Sequence, residues 1–370
     1  MTRPLRILMA TPRYFPETGG VETHVHEVAR HMARRGAEVT ILATDRSRRL
    51  PDGERSAGVT VLRVPAYPRG RDYHWAPGIY RAIAAGGWDV LHCQSYHTLV
   101  PPLAMLAALR AGLPYVVTFH GGGHSSALRN RARGAQLAVL RPLLARARRL
   151  VAVARFEIDH YGARLGLPAS RFALIPNGAE LPAAPASVVP PPADAPLVVS
   201  VGRLERYKGH HRVLEAMPDL LRERPGARLR IVGGGPEEAN LRRRAGELGL
   251  ADRVEIGGIP PQDRQAMAAT LAGASVVALL SDFETHPIAA LEALSLRRPV
   301  VVARSSGLGE LADQGLALPV ELPCPPEQVA RAIAAQLDAP LAAEPPALPT
   351  WDGCADALLA LYADVLGGRG

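Results

Sequence analysis

The stretch PAAPASVVPPPADAPLVVSVGRLERYKGH, residues 182–210, changes character at its middle. Up to Pro196, proline recurs too often for a helix or a strand to continue. From Leu197 the run LVVSV reads as a strand, and GRLERYKGH follows as a basic loop that leads into a helix near Gly209. One series of elements therefore ends and another begins, which makes residues 181–196 a linker between two domains. Lys208, in the loop, is the only lysine among the 43 Lys and Arg residues of this 370-residue chain.

The same alternation extends in both directions. Upstream, strand-like runs occur at 6–12, 38–44, 59–66, 89–95, 115–121 and 149–154, with helical spacing between several of them. The clearest helix is 21–35, where Val21, Val25, Val28, Ala29 and Met32 recur three and four residues apart. Downstream, strands are expected at 197–204, 227–235, 253–259, 275–281 and 299–304. Strands that alternate with helices make parallel sheets with crossover connections. The expectation is α/β: domains at 1–180 and 197–349, each a doubly wound sheet, and a closing helix in 350–370. Ligands of such sheets bind beyond the carboxyl ends of the strands.

Composition narrows the class. The chain is 48% hydrophobic and 21% charged, as globular proteins are, and no apolar run approaches the length of a membrane span. The start, MTRPLRILMATPRYFP, reads as a first strand rather than a signal peptide. Cys93, Cys324 and Cys354, three widely spaced cysteines, form neither a metal pattern nor a disulfide framework, so a reducing cytoplasm is expected. IVGGGP at 231–236 lacks the G-x-G-x-x-G spacing of a dinucleotide site. The chain has no Asp-x-Asp pair, so chemistry without a metal is expected.

Two loops carry candidate chemistry. Arg203 and Lys208 project near a helix start, where a compact ammonium suits a diphosphate. SDFETHPIAALEAL, 281–294, follows another strand and holds Glu284 and Glu292, carboxylates that can accept from the hydroxyls of one extended ligand. Of twelve histidines, His26, His31, His92, His97, His160 and His210 are read as structural. His120 differs, because it ends a strand and a run of glycines follows it; His124 and His24 rank below it.

The ordered set GRLERYKG, IVGGGP, GGIP, ETHPIAALE and RRPVV resembles retaining glycosyltransferases of family four, with the GT-B fold. TPRYFPETGGVETHV, IPNGAE and the closing TWDGCADALLALYADVL extend the resemblance over nearly the whole chain. It implies two Rossmann-like domains facing a central cleft, with the last helix crossing back to the first domain. It also implies that Arg203 and Lys208 bind the donor diphosphate, that Glu284 holds the donor sugar and that Glu292 holds the ribose. Gly19 and Gly20 would bring backbone N–H groups to the donor or to an acceptor phosphate, and His120 would lie under the reacting sugar. No protein nucleophile, metal or cofactor is implied, and nucleic acid is not an expected partner.

Thr285, His286 and Pro287 stand where the family usually has Gly-Phe-Gly. Pro287 has no N–H, which leaves Ile288 and Ala289 as backbone donors, with His286 as a side-chain one. SLRR, 295–298, replaces a small-residue turn. Two other functions therefore stay open: a sugar-nucleotide epimerase of the same fold, and a non-catalytic sugar-nucleotide binder.

Residues 1–180 carry 25 arginines against 12 acidic groups. Seven of those arginines fall between Arg129 and Arg149, interleaved with Leu137, Leu140, Leu143 and Leu144. Two acceptors fit: a lipid-linked one, met by peripheral association with the inner face of the cell membrane through an amphipathic segment, or a soluble anionic one. Against the membrane segment, Pro142 is expected to interrupt its helix.

Overall fold

The structure, a computed structural model, describes residues 3–17, 19–70, 74–121, 127–260, 262–341 and 348–368, with the backbone alone for 127–133. It divides into two compact units: unit 1 from the chain up to Gly178 and again from Pro349, unit 2 from Ala179–Leu348.

Unit 1 holds an eight-stranded sheet of β1 Arg6–Ala10, β2 Glu38–Asp45, β3 Gly53–Ser56, β4 Val59–Pro65, β5 Val90–Gln94, β6 Tyr115–Thr118, β7 Arg149–Ala152 and β8 Phe172–Leu174. The order is β3-β4-β2-β1-β5-β6-β7-β8. Every neighbouring pair is parallel except β3 with β4. Its helices are α1 Gly20–Arg34, α2 Pro77–Ala84, α3 Val100–Arg110, α4 Ala127–Leu144 and α5 Arg155–Leu165. The inner strands are covered on both faces, so Ile7, Leu8 and Met9 are all buried and read as an unbroken apolar run. On α1 the stripe Val25, Val28, Ala29 and Met32 is fully buried.

Unit 2 holds β9 Leu197–Val201, β10 Arg228–Val232, β11 Val254–Gly257, β12 Val276–Leu279, β13 Val300–Ala303 and β14 Leu318–Val320, with helices α6 His210–Glu223, α7 Glu238–Glu247, α8 Arg264–Ala272, α9 Ile288–Ser295, α10 Ser306–Asp313 and α11 Pro326–Asp338. The sheet is parallel throughout, in the order β11-β10-β9-β12-β13-β14. Counted within the unit this is 3-2-1-4-5-6, and the order reverses between β9 and β12. Unit 2 has its own core, centred on Val198, Val199, Ile231, Val277 and Val301.

The last helix, α12 Trp351–Gly367, belongs to unit 1. Thr350 caps it, its hydroxyl accepting from the Gly353 N–H at 2.9 Å. Trp351, Leu358 and Tyr362 are buried. Asp352 lies 2.7 Å from His31 of α1, and Arg35 pairs with Asp356. The Tyr362 hydroxyl meets His92 Nδ1 at 2.6 Å, and His92 Nε2 meets the Thr118 hydroxyl at 2.7 Å. His92 is therefore a structural group.

Two expectations about the arginine-rich segment are corrected. Pro142 does not interrupt the helix: α4 runs on to Leu144. Only the final turn lies beyond the proline, and Arg146 donates to the Pro142 carbonyl at 3.1 Å. Nor do the leucines form an outward apolar face. Leu137, Leu140 and Leu144 are buried in the core of unit 1 and Leu143 packs against it, so they are not available to a bilayer.

Candidate active site

The site of unit 2 lies where the strand order reverses, on the loops that leave β9 and β12. Backbones approach closely there, and only glycine fits two of the positions. Gly209 has φ 74, and a Cβ would lie 2.0 Å from the Leu280 carbonyl oxygen; at Gly233, with φ 156, it would lie 1.9 Å from that of Gly202. Arg212 of α6 ties the loops together, donating to the Leu280 carbonyl and to the Asp282 carboxylate, each at 2.6 Å. The Asp282 N–H donates to the Tyr207 carbonyl at 2.8 Å.

Lys208 and Glu284, separated by 76 positions in sequence, form an ion pair. The Lys208 ammonium lies 5.4 Å above the Tyr207 ring. The Ser281 hydroxyl donates to Glu284 Oε1 at 3.0 Å. The Glu284 N–H donates to Ser306 Oγ at 2.8 Å, and its carbonyl accepts from Gly307 N–H at 2.8 Å. Both side chains are largely covered, 16% and 20% exposed. Burial alone would lower the Lys208 ammonium, but the adjacent Glu284 carboxylate outweighs it and raises the pKa. Lys208 therefore stays charged at every physiological pH.

Arg203 pairs with Glu205 at 2.5 Å. Just past Gly209, His210 is held by the Ser200 hydroxyl at 2.9 Å and the Arg203 carbonyl at 3.3 Å. Burial lowers its pKa to about 4, so it is neutral at pH 7 and adds no charge beside Lys208.

Glu292 is a buried member of α9, paired with Arg264, and not a group on a solvated helix face. Pro287 is the N-cap of α9, which makes Ile288 and Ala289 its first two residues, with N–H groups that have no intrahelical acceptor. Just before the cap, Thr285 is buried, and its hydroxyl has no protein partner among the described residues. His286 is half-buried beside it.

In unit 1, the loop after β1 and the start of α1 contain Gly19 and Gly20. A Cβ at Gly19 would lie 2.6 Å from Glu22 Oε2, and the buried Glu22 pairs with Arg13 at 3.2 Å. His120, after β6, has φ 44, a left-handed backbone that non-glycine residues seldom adopt. Its Nε2 lies 2.7 Å from Gln94 Oε1. The His24 ring meets the His120 ring edge-on at 4.6 Å, and burial lowers the His24 pKa to about 4. His24 thus lies buried against His120. His124 lies outside the described residues.

Serine, arginine and glutamine partners were not marked out by the sequence. Ser306, Arg212, Arg264 and Gln94 belong to the site only through contacts between distant segments. The nearest signal was adjacency: Ser281 opens the 281–294 stretch, three residues before Glu284, and Arg212 follows the 202–210 loop. Among the described residues no group of three His, Cys, Asp or Glu could hold a metal ion.

Two Rossmann-like units with a lysine–glutamate pair at a topological switch point define a GT-B-fold glycosyltransferase that uses a nucleotide sugar. Comparison with known proteins gives the family. The profile of Glycosyltransferase Family 4 matches residues 18–181, and that of Glycosyl transferases group 1 matches 187–345. A D-inositol 3-phosphate glycosyltransferase of Nocardiopsis dassonvillei is 31% identical over 343 residues, covering 81% of this chain and 77% of the relative. That of Acidothermus cellulolyticus is 30% identical, covering 95% and 87%. Sucrose-phosphate synthase of Thermosynechococcus elongatus has the same fold, with TM-score 0.72 at 22% identity and coverage of 100% and 97%. HepE of Anabaena, solved with UDP and glucose, gives 0.69 at 18%, with coverage of 97% and 95%. The chain belongs to glycosyltransferase family 4.

Proposed function

We propose that this chain transfers a hexosyl group from a nucleoside-diphosphate sugar to a hydroxyl of a soluble phosphorylated polyol, with retention of anomeric configuration and without a metal. The Lys208–Glu284 pair at the switch point of unit 2 carries this reading. It sets a cation for the diphosphate beside a carboxylate for the sugar hydroxyls.

As the bond from C1 to the phosphate oxygen breaks, negative charge grows on the leaving diphosphate. Lys208, Arg203 and the N–H groups of Ile288 and Ala289 stabilise that charge where it develops. The acceptor oxygen attacks C1 from the face the diphosphate leaves, and its proton passes to a leaving phosphate oxygen. Glu292 takes the ribose, while His286 and the Thr285 hydroxyl, which has no partner among the described residues, stand where the family usually has Gly-Phe. Gly19, Gly20 and His120 are the groups of unit 1 assigned to substrate.

D-inositol 3-phosphate is the first acceptor to test, since it is the acceptor in the relatives' names. The arginine excess of residues 1–180 also favours an anionic acceptor, and the burial of Leu137, Leu140 and Leu144 counts against a lipid-linked one. No helix among the described residues is long and apolar enough to cross a membrane.

The test is donor turnover with and without D-inositol 3-phosphate, using a panel of nucleoside-diphosphate glucose and N-acetylglucosamine donors in the presence of EDTA. Transfer is expected only with acceptor, to a product of unchanged anomeric configuration by NMR. An altered donor sugar without acceptor would identify an epimerase, binding without turnover a non-catalytic protein, and loss of activity with EDTA a metal requirement.

A further inference from the structure

Unit 2 contains a cavity of about 490 Å³ at the end of its sheet opposite Lys208 and Glu284. Pro196, Ser275 and Pro299 line it. These residues stand at the amino ends of β9, β12 and β13, whereas the site loops leave the carboxyl ends of β9 and β12. Five strand residues at ~3.3 Å each separate the two ends by about 16 Å, so a small ligand in the cavity would not touch the donor site.

Much of the wall is apolar, with Leu294, Leu316 and Leu337 alongside the prolines. The charge in it is one-sided: Arg224, Arg297 and Arg298 against the single carboxylate of Asp338. Arg224 pairs with Asp338 at 2.5 Å, which leaves Arg297 and Arg298 without a carboxylate partner among the described residues. Arg298 is half-buried and donates through Nε to the Leu296 carbonyl at 3.1 Å; its terminal amino groups have no protein acceptor among the described residues. Burial without a counter-charge lowers its pKa below the usual arginine value. Both arginines follow the carboxyl end of α9, which attracts cations. That accounts for the exposed Arg297, but a dipole does not require the half-buried Arg298 guanidinium to give up part of its hydration, which is unfavourable where no anion replaces the water.

We propose that this cavity is an anion-binding site separate from the donor site, taking a small phosphate monoester with an apolar body. The phosphate would bind Arg297 and Arg298, and the apolar part would lie against the leucines and prolines. The SLRR turn, anomalous in the sequence, is the segment that supplies both cations.

Calorimetric titration of the full chain with phenyl phosphate tests this, with inorganic phosphate as the probe lacking the apolar part. Saturable binding of phenyl phosphate is expected in the wild type and in Lys208→Ala. Arg298→Gln should weaken it about tenfold or more, as loss of a charged hydrogen bond does. Arg297→Gln, an exposed change that leaves the fold intact, should weaken it several-fold, and inorganic phosphate should bind several-fold more weakly than phenyl phosphate. Absence of saturable binding would overturn the proposal. So would binding that survives Arg298→Gln and Arg297→Gln but is lost in Lys208→Ala, which would place the ligand in the donor site. Equal affinity for inorganic and phenyl phosphate would remove the apolar body from the proposal.

Discussion

Replacing Lys208 with alanine removes a cation and also strands the Glu284 carboxylate, only 20% exposed. The expected loss in kcat is about a hundredfold, on the order of 3 kcal/mol, and Lys208→Arg should also be poor because a planar fork does not fit a site built around a point charge. Full turnover of the arginine variant would refute the role given to the ammonium. The two glutamates should separate by ligand. Glu292→Gln is expected to weaken the bare nucleoside diphosphate, whereas Glu284→Gln should spare it and impair only the sugar-bearing donor; titration of both variants with both ligands decides. Glutamine is the informative change, since alanine at 292 would leave Arg264 unpaired at a largely buried position. Lys208 was legible because it is the only lysine, and Glu284 because its motif recurs in a known order. Their bond to one another was not, for nothing local links positions 76 residues apart. The same holds for Ser306 and Arg264, ordinary residues until the chain folds.

Gly209 links β9 to α6 through a 3-10 turn, and its left-handed backbone lets α6 start against the Leu280 carbonyl. Gly209→Ala should cost at least ~2 kcal/mol, combining an unfavourable φ with a contact of 2.0 Å. The check is chemical denaturation followed by a signal from unit 2, with donor affinity measured in parallel; unchanged stability would mean the loops can part without harm. Central strands were readable because burial on both faces leaves them continuously apolar, as in VVVA of β13. The edges were not. β3, GERS, is exposed at all four positions and looks like a loop, while β14 spans three residues around Pro319. α4 failed for another reason: interleaved leucines and arginines make the same pattern whether the leucines meet a core or a bilayer. With those leucines buried, sedimentation with vesicles should show no binding to neutral lipid. Any binding to anionic lipid should vanish at high salt.

Loss of stability in acid follows from histidines held neutral in both units. Burial lowers His24 and His210 to about 4 and His92 to about 3, against 6.5 when exposed. The unfolded chain therefore binds protons first as pH falls. Stability from these groups is complete above about pH 6.5 and declines toward pH 4, by on the order of 3 kcal/mol for each histidine at pH 4. Thermal midpoints at pH 7.5, 5.5 and 4.5 should fall in that order, and a flat profile would show that these rings stay solvated. Unit 1 also depends on α12, which fills its core with Trp351, Leu358 and Tyr362. A chain that stops at Leu348 lacks these side chains but keeps all of unit 2. That dependence fixes the order of events on the ribosome. Most chains complete one domain before the next is made, but here about 190 residues separate Gly178 from the end of α12. At 5–20 residues per second, the strands of unit 1 wait roughly 10 to 40 s for their final helix, while unit 2 is synthesised whole in between. The nascent chain thus exposes the uncovered face of unit 1 throughout that interval, and chaperone demand should fall on unit 1 rather than on unit 2, although unit 2 is made later.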